Sequence, residues 1–284
     1  MDALVCDLDG VVYRGKEAVP GAPEAIAALK ASGVRVLFCT NNSRSTVPQY
    51  VDRLMSLGIE ARPEEILTSA VVTRDHLRER FPHGGRALVV GGEGLIAAAD
   101  EAGLTVEDPG ASGGDADVDS AAVVVVGWDP GFTYDLMRRA ATAVRAGAAL
   151  IASNSDASFP AEDGLWPGAG AILASIEVAS GAKAYVLGKP HAPMLDAIEH
   201  RLSGASKIVA VGDRPDTDLA GASERGWGTV LVLSGVTSAE GALSLDPQPD
   251  LVVDDLAAFV SSGPDPIAPM QVPDDGDVPQ ARRS

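Results

Sequence analysis

Four short, polar stretches in this chain each directly follow a run of apolar, β-favouring residues. They are Val5-Cys6-Asp7-Leu8-Asp9-Gly10, Phe38-Cys39-Thr40-Asn41, Leu187-Gly188-Lys189-Pro190 and Val211-Gly212-Asp213 on to Asp218. Polar groups gathered at the ends of buried strands suit an open α/β sheet, which binds ligands outside the carboxyl ends of its strands. This limits the fold before any other feature does, because helices must separate the strands and cover both faces of the sheet.

The intervening sequence has the matching rhythm. Leu4–Cys6 and Val34–Cys39 read as strands. Pro23–Ser32, with Ala25, Ile26 and Leu29 on one face, reads as a helix stopped by Gly33. Val47–Leu57, with Tyr50, Leu54 and Leu57 at helical spacing, reads as the next helix. The middle of the chain has strands of its own at Ala87–Val90, Ala121–Gly127 and Ala149–Ser153, and helices at Gly94–Ala102, Thr133–Ala146 and Gly170–Ser180. The alternation then returns through Tyr185–Leu187, Ala192–Leu202, Lys207–Val211, Leu219–Arg225, Thr229–Leu233 and Leu251–Val253. The expected fold class is α/β, a doubly wound parallel-sheet core with an inserted α/β cap. The core is expected from residues 1–81 and 184–262 and the cap from 82–183. Asp108–Ser120, rich in Asp, Gly and Ser, reads as a surface loop. Residues 263–284 are too poor in apolar side chains to order themselves and read as a disordered tail.

Aromatic residues make up only 4% of the chain, so its core must be built from Ala, Val, Leu and Ile. The formal charge is −18. Such a field repels polyanions and argues against nucleic-acid and anionic-membrane partners. It also repels phosphorylated small molecules, so a phosphate site here must reverse the sign locally with a cation, a lysine and backbone N–H groups. Cys6 and Cys39 alone make no disulfide framework, which suits a reducing cytoplasm. No apolar run approaches the ~20 residues needed to span a bilayer, so a soluble chain is expected.

The four stretches carry complementary chemistry. Asp7 and Asp9, two apart at a strand end, point the same way. Asp7 is the candidate nucleophile toward phosphorus and Asp9 the candidate acid/base. Gly10 lets the chain turn beside the substrate. The hydroxyl of Thr40, the amide of Asn41 and the N–H groups of the turn suit the non-reacting phosphate oxygens; equally, they suit a capped turn opening the next helix. Lys189 offers a cation that screens Asp7 from the phosphate, and His191 beside it reads as a helix-start or surface residue. Asp213 offers a hard oxygen ligand for Mg²⁺, together with Asp7 and the Asp9 carbonyl. Asp218 is expected behind it, on a metal-bound water or on Lys189, and Asp216 is expected to cap the helix Leu219–Arg225.

Together these residues resemble the haloacid dehalogenase (HAD) superfamily phosphatases of the NagD-like branch, from about Ala3 to about Val260. Gly127-Trp128-Asp129 with Phe132-Thr133-Tyr134, Asn154-Ser155-Asp156 leading to Pro160, and Pro167-Gly168-Ala169-Gly170 also match that branch. The resemblance implies a HAD-like core, an aspartyl-phosphate on Asp7, Thr40, Asn41 and Lys189 as phosphate ligands, and Mg²⁺ on Asp213. It also implies that Asn154 and Asp156 face the core site from the cap. Caps of this branch often pair into homodimers, which no residue of this sequence carries by itself. The implied activity is hydrolysis of a small phosphorylated metabolite, with glycerol 3-phosphate and 2-phosphoglycolate ahead of sugar phosphates, nucleotides and pyridoxal phosphate. The few cap aromatics, Trp128, Tyr134, Phe159 and Trp166, argue weakly against stacking on a nucleobase. A phosphomutase and a non-catalytic phosphometabolite-binding protein are the alternatives on the same fold. Cys6 and Cys39 stand where many relatives carry other small or apolar residues. Strand alternation aims them away from the chemistry, so inert packing is expected and oxidative inactivation is the alternative.

Overall fold

The computed structural model describes residues 1–107, 120–161 and 164–263. Most of the expected loop at Asp108–Ser120, and the tail beyond Gly263, lie outside these residues. In chain order the elements begin with β1 (Ala3–Cys6), β2 (Tyr13–Arg14), β3 (Glu17–Ala18), α1 (Ala22–Ala31), β4 (Arg35–Thr40), α2 (Val47–Ser56), β5 (Ile66–Thr68) and α3 (Ser69–Arg80). The middle of the chain gives β6 (Gly85–Val90), α4 (Glu93–Glu101), β7 (Leu104–Glu107), β8 (Val123–Val126), α5 (Tyr134–Arg145), β9 (Ala149–Ala152), β10 (Ser158–Ala161), β11 (Gly164–Pro167), α6 (Ala169–Ser180) and β12 (Tyr185–Val186). The chain then continues with α7 (Ala192–Arg201), β13 (Ile208–Gly212), α8 (Ala220–Glu224), β14 (Gly228–Val232), α9 (Ala239–Leu243), β15 (Leu251–Val253) and α10 (Leu256–Ser261).

Two parallel sheets organise these elements. The first has the order β15-β14-β13-β1-β4-β5, and the second β12-β9-β8-β6-β7. In the first, β1 lies between β13 and β4, with Cys6 opposite Val211 and Phe38. Every residue of β1 is buried, as befits a strand covered by helices on both faces. One hydrophobic cluster joins the two sheets: Val5, Leu37 and Leu67 of the first share it with Val89, Val125 and Ile151 of the second and with Leu95 of α4. The helices α3 and α4 pack on each other at that junction. No helix among the described residues is long and apolar enough to cross a membrane.

The main expected strands and helices appear with ends shifted by a residue or two, and several shorter elements appear that the sequence pattern did not announce. β5 has three residues, and in α3 the apolar residues Ala70, Val71 and Val72 precede a charged stretch, Arg74–Arg80, in which Leu77 alone is apolar. Tyr185–Leu187 read as the start of the returning outer segment, yet Tyr185 and Val186 pair with Ile151 and Ala152 and form the edge of the second sheet. The Thr40–Ser43 turn does not cap the next helix. That role falls to Thr46, whose hydroxyl accepts from Gln49 N–H while the Gln49 side chain accepts from Thr46 N–H at 2.8 Å. Nor does Asp216 cap α8, which has no side-chain cap; Asp216 is exposed in a π-helical turn, Pro215–Leu219.

Candidate active site

Asp7, Thr40 and Asp213 stand at the C-terminal ends of β1, β4 and β13, three adjacent strands of the first sheet. Asp7 continues the ladder through its N–H to Val211 O at 3.0 Å, so the backbone fixes where its carboxyl emerges. Gly10 turns the chain away at φ 87°, where a Cβ would sit 2.5 Å from Asp213 Oδ2. Only glycine permits both the backbone angle and the close approach of that carboxylate. The other side of Asp213 Oδ2 is held by Val236 N–H at 2.6 Å.

Lys189 arrives from the second sheet, just after β12. Its Nζ donates to Asp7 Oδ1 at 2.7 Å, to Asp218 Oδ1 at 2.7 Å and to Cys39 O at 3.0 Å. All the ammonium hydrogens are thereby committed, and a 4% exposed lysine is fully satisfied. Asp218 is likewise committed on both oxygens, because Oδ2 accepts from Arg214 N–H at 3.0 Å. Of the two partners expected for Asp218, a metal-bound water and Lys189, the second is in contact with it.

The Asn41 side chain is occupied by structure. Its Oδ1 accepts from Lys189 N–H at 2.7 Å, and its Nδ2 donates to Lys189 O at 3.0 Å and to Asp156 Oδ1 at 2.9 Å. Asn154 Nδ2 donates to Asn41 O at 2.8 Å, and the hydroxyls of Ser43 and Ser153 meet at 2.9 Å. Thus Asn154 and Asp156 do face the core site, and both also form an ordinary turn, with Asp156 N–H donating to Asn154 Oδ1. Thr40 Oγ1 accepts from Asn42 N–H at 3.1 Å. His191 is the exposed N-cap residue before α7, in keeping with a helix-start or surface residue.

The electrostatics are those of too much negative charge around one ammonium. Burial works against the Lys189 charge, but Asp218 and Asp7 outweigh it and raise its pKa well above the usual lysine range. Burial raises Asp7, with Lys189 opposing and Asp218 and Asp213 adding to it; the shift belongs to the cluster as a whole. Asp213 is pushed up to about 7, by burial first and then by Asp218. Asp9 is raised by burial, which the Arg53, Lys189 and Arg214 charges only partly offset. Burial pushes both thiols up, Cys39 to about 12, so neither ionises near neutrality. One carboxylate oxygen from each of Asp7, Asp213 and Asp218 lies within 4.8 Å of the others. An Mg²⁺ octahedron places opposite ligands ~4.2 Å apart, so a hard divalent cation fits this donor set and supplies the charge it lacks.

Every residue singled out from the sequence for the site lines one cleft: Asp7, Asp9, Thr40, Asn41, Asn154, Asp156, Lys189, Asp213 and Asp218. The same cleft is lined by Trp128, Ser158, Phe159 and Arg214. Of the four aromatics in the middle of the chain, Trp128 and Phe159 reach it and stack on each other with centroids 4.1 Å apart; Tyr134 is exposed, and Trp166 does not line the cleft. Arg214 escaped the sequence reading, because its place next to Asp213 does not say where so long a side chain ends. Ser158 carried no local signal, since only the β10–β11 pairing brings it over the cleft.

Residues 4–105 match the family model for haloacid dehalogenase-like hydrolases, and residues 186–259 match a HAD-hydrolase-like model. An acid sugar phosphatase of Staphylococcus aureus (strain USA300) is 36% identical over 255 residues, covering 89% of this chain and 95% of that protein. A glycerol phosphate phosphatase from Mycobacterium tuberculosis, solved in complex with magnesium, superposes with a TM-score of 0.81 at 32% identity, covering 91% of this chain and 76% of that one. NagD from the Escherichia coli K-12 strain superposes with a TM-score of 0.77 at 31% identity, covering 90% and 97%. With this similarity along nearly its whole described length, the chain belongs to the haloacid dehalogenase-like hydrolase family, as a phosphatase of its NagD-like branch.

Proposed function

We propose that this phosphatase is Mg²⁺-dependent and hydrolyses small phosphorylated polyols, glycerol 3-phosphate and sugar phosphates foremost, through an aspartyl-phosphate on Asp7. The observation that carries the reading is the Lys189 bridge, 2.7 Å to Asp7 and 2.7 Å to Asp218, beside Asp213 and within a cleft also lined by Asp9. Asp7 attacks phosphorus with the carboxylate oxygen that Lys189 leaves unbound. The ester P–O bond breaks, and its electron pair leaves on the alcohol oxygen, which takes the Asp9 proton. An Asp9 carboxyl raised by burial is suited to hold that proton until it is needed. Asp9, now ionised, takes a proton from water, which attacks phosphorus and releases phosphate from Asp7. Lys189 screens Asp7 during the approach of the anionic substrate. Thr40 and the main-chain N–H groups of the turn after it bind the non-reacting oxygens, and Asn41 holds that turn against Lys189. Asp7, Asp213 and the Asp9 carbonyl would hold the Mg²⁺, which when bound neutralises charge on the transferring phosphoryl group.

The substrate class rests on the relatives named for sugar phosphates and glycerol phosphate. Two free, buried thiols suit a reducing cytoplasmic compartment. The test is hydrolysis of p-nitrophenyl phosphate and a panel of phosphomonoesters. Asp7→Asn should lower turnover more than ~1000-fold. EDTA should abolish activity and Mg²⁺ restore it. Substantial turnover by the Asp7 variant would contradict the mechanism.

A further inference from the structure

Arg214 crosses the cleft from the core to the cap hairpin. Its base is fixed, because its N–H donates to Asp218 Oδ2 at 3.0 Å. Its guanidinium is not similarly held: it reaches Ser158 O at 3.4 Å and Ser158 Oγ at 3.4 and 3.5 Å, all long for hydrogen bonds. Among the described residues it forms no ion pair, and it is only partly exposed. A half-buried guanidinium with weak acceptors keeps donors to offer to whatever enters the cleft. Lys189 has none to offer, being committed to Asp7, Asp218 and Cys39 O. The cap cannot easily move away from Arg214, since Asn154, Ser153 and Asp156 are bonded to the Asn41–Ser43 turn. The leaving group must therefore pass between Arg214 and the cap residues that face it.

We propose that Arg214 is the specificity-determining residue of this site, donating to hydroxyl oxygens of the leaving group and so selecting polyol phosphates over aryl phosphates. This rests on the functional reading above. The Asp156 carboxylate, which lines the same cleft, complements it as an acceptor for the hydroxyl hydrogens, and an unsubstituted phenyl leaving group can use neither.

The experiment measures kcat/KM of the purified protein for glycerol 3-phosphate and for phenyl phosphate, whose ring offers Arg214 no acceptor, in the wild type, Arg214→Ala and Arg214→Lys. The preference is the ratio of the two values, which cancels any uniform damage to the neighbouring Asp213. Arg214→Ala should lower this ratio at least about tenfold, the size of one charge-assisted hydrogen bond. Arg214→Lys, which keeps the charge but loses the planar fork, should fall between. A ratio unchanged within about twofold in the alanine variant overturns the assignment and leaves the phosphatase reading standing. So does a wild type that hydrolyses phenyl phosphate but not glycerol 3-phosphate. A wild type inactive on both compounds with Mg²⁺ present removes the functional reading itself and this assignment with it.

Discussion

Asn41 spends its side chain on holding the site together. Truncating it would strand Lys189 N–H, Lys189 O and Asp156 Oδ1, all of them in or beside buried positions. Buried groups left without partners cost about 1–3 kcal/mol each, with part recovered by relaxation. Asn41→Ala should therefore cost about 2–4 kcal/mol in urea unfolding and should also lower kcat, because Lys189 loses its alignment on Asp7. An unchanged unfolding midpoint would show that the clamp is dispensable. The sequence pointed to Asn41 as a phosphate ligand because an amide after a strand offers donors there. Its actual partners lie 148 and 115 residues away, beyond the reach of a local pattern. Asp7, Gly10 and Asp213 were legible because their chemistry is written within a few residues of a strand end. Arg214 was missed because a lone arginine after an aspartate has no fixed destination until a cap is folded over it.

At the level of elements, the critical joint is the entry of α4. Gly94 N–H donates to Arg44 O at 2.8 Å, and a Cβ on Gly94 would come 2.3 Å from Ser45 O. Gly94→Ala should push α4 off the turn that carries Asn41, lowering both stability and kcat. Thr46→Ala provides the contrast: it removes the α2 cap, should cost about 1 kcal/mol, and should leave kcat alone. Thermal unfolding and steady-state rates on both variants separate the two effects. The long amphipathic helices were readable because their apolar spacing is local. The three residues of β5 and the charged second half of α3 gave no such period. The two residues of β12 were visible as a strand, but the sheet it joins depends on pairing with β9, and periodicity says nothing about partners.

Across the whole molecule, the excess of acids in the cleft ties stability to pH. Burial raises Asp7, Asp9, Asp156 and Asp213, the last to about 7. For an acid whose folded pKa lies above its unfolded value, the stabilising contribution is complete below the unfolded value and is lost as pH rises through the folded one. Metal-free protein should thus lose stability between about pH 4 and pH 7. After EDTA treatment it should melt at a lower temperature at pH 8 than at pH 6. Mg²⁺ should raise the melting temperature more at pH 8, where it no longer competes with protons. A metal-free protein equally stable at both values would rule out this account. The doubly wound plan was legible because strand–helix alternation runs the length of the chain. How the two sheets meet was not, since both use the same small apolar residues.

That meeting has a practical consequence. Val5, Leu37 and Leu67 share a single oily seam with Val89, Leu95 and Val125. Residues 82–183 are thus no transplantable module: excised, they would turn that seam to water, and a chimera would inherit a mismatched one. New selectivity in this scaffold has to be engineered in place, side chain by side chain.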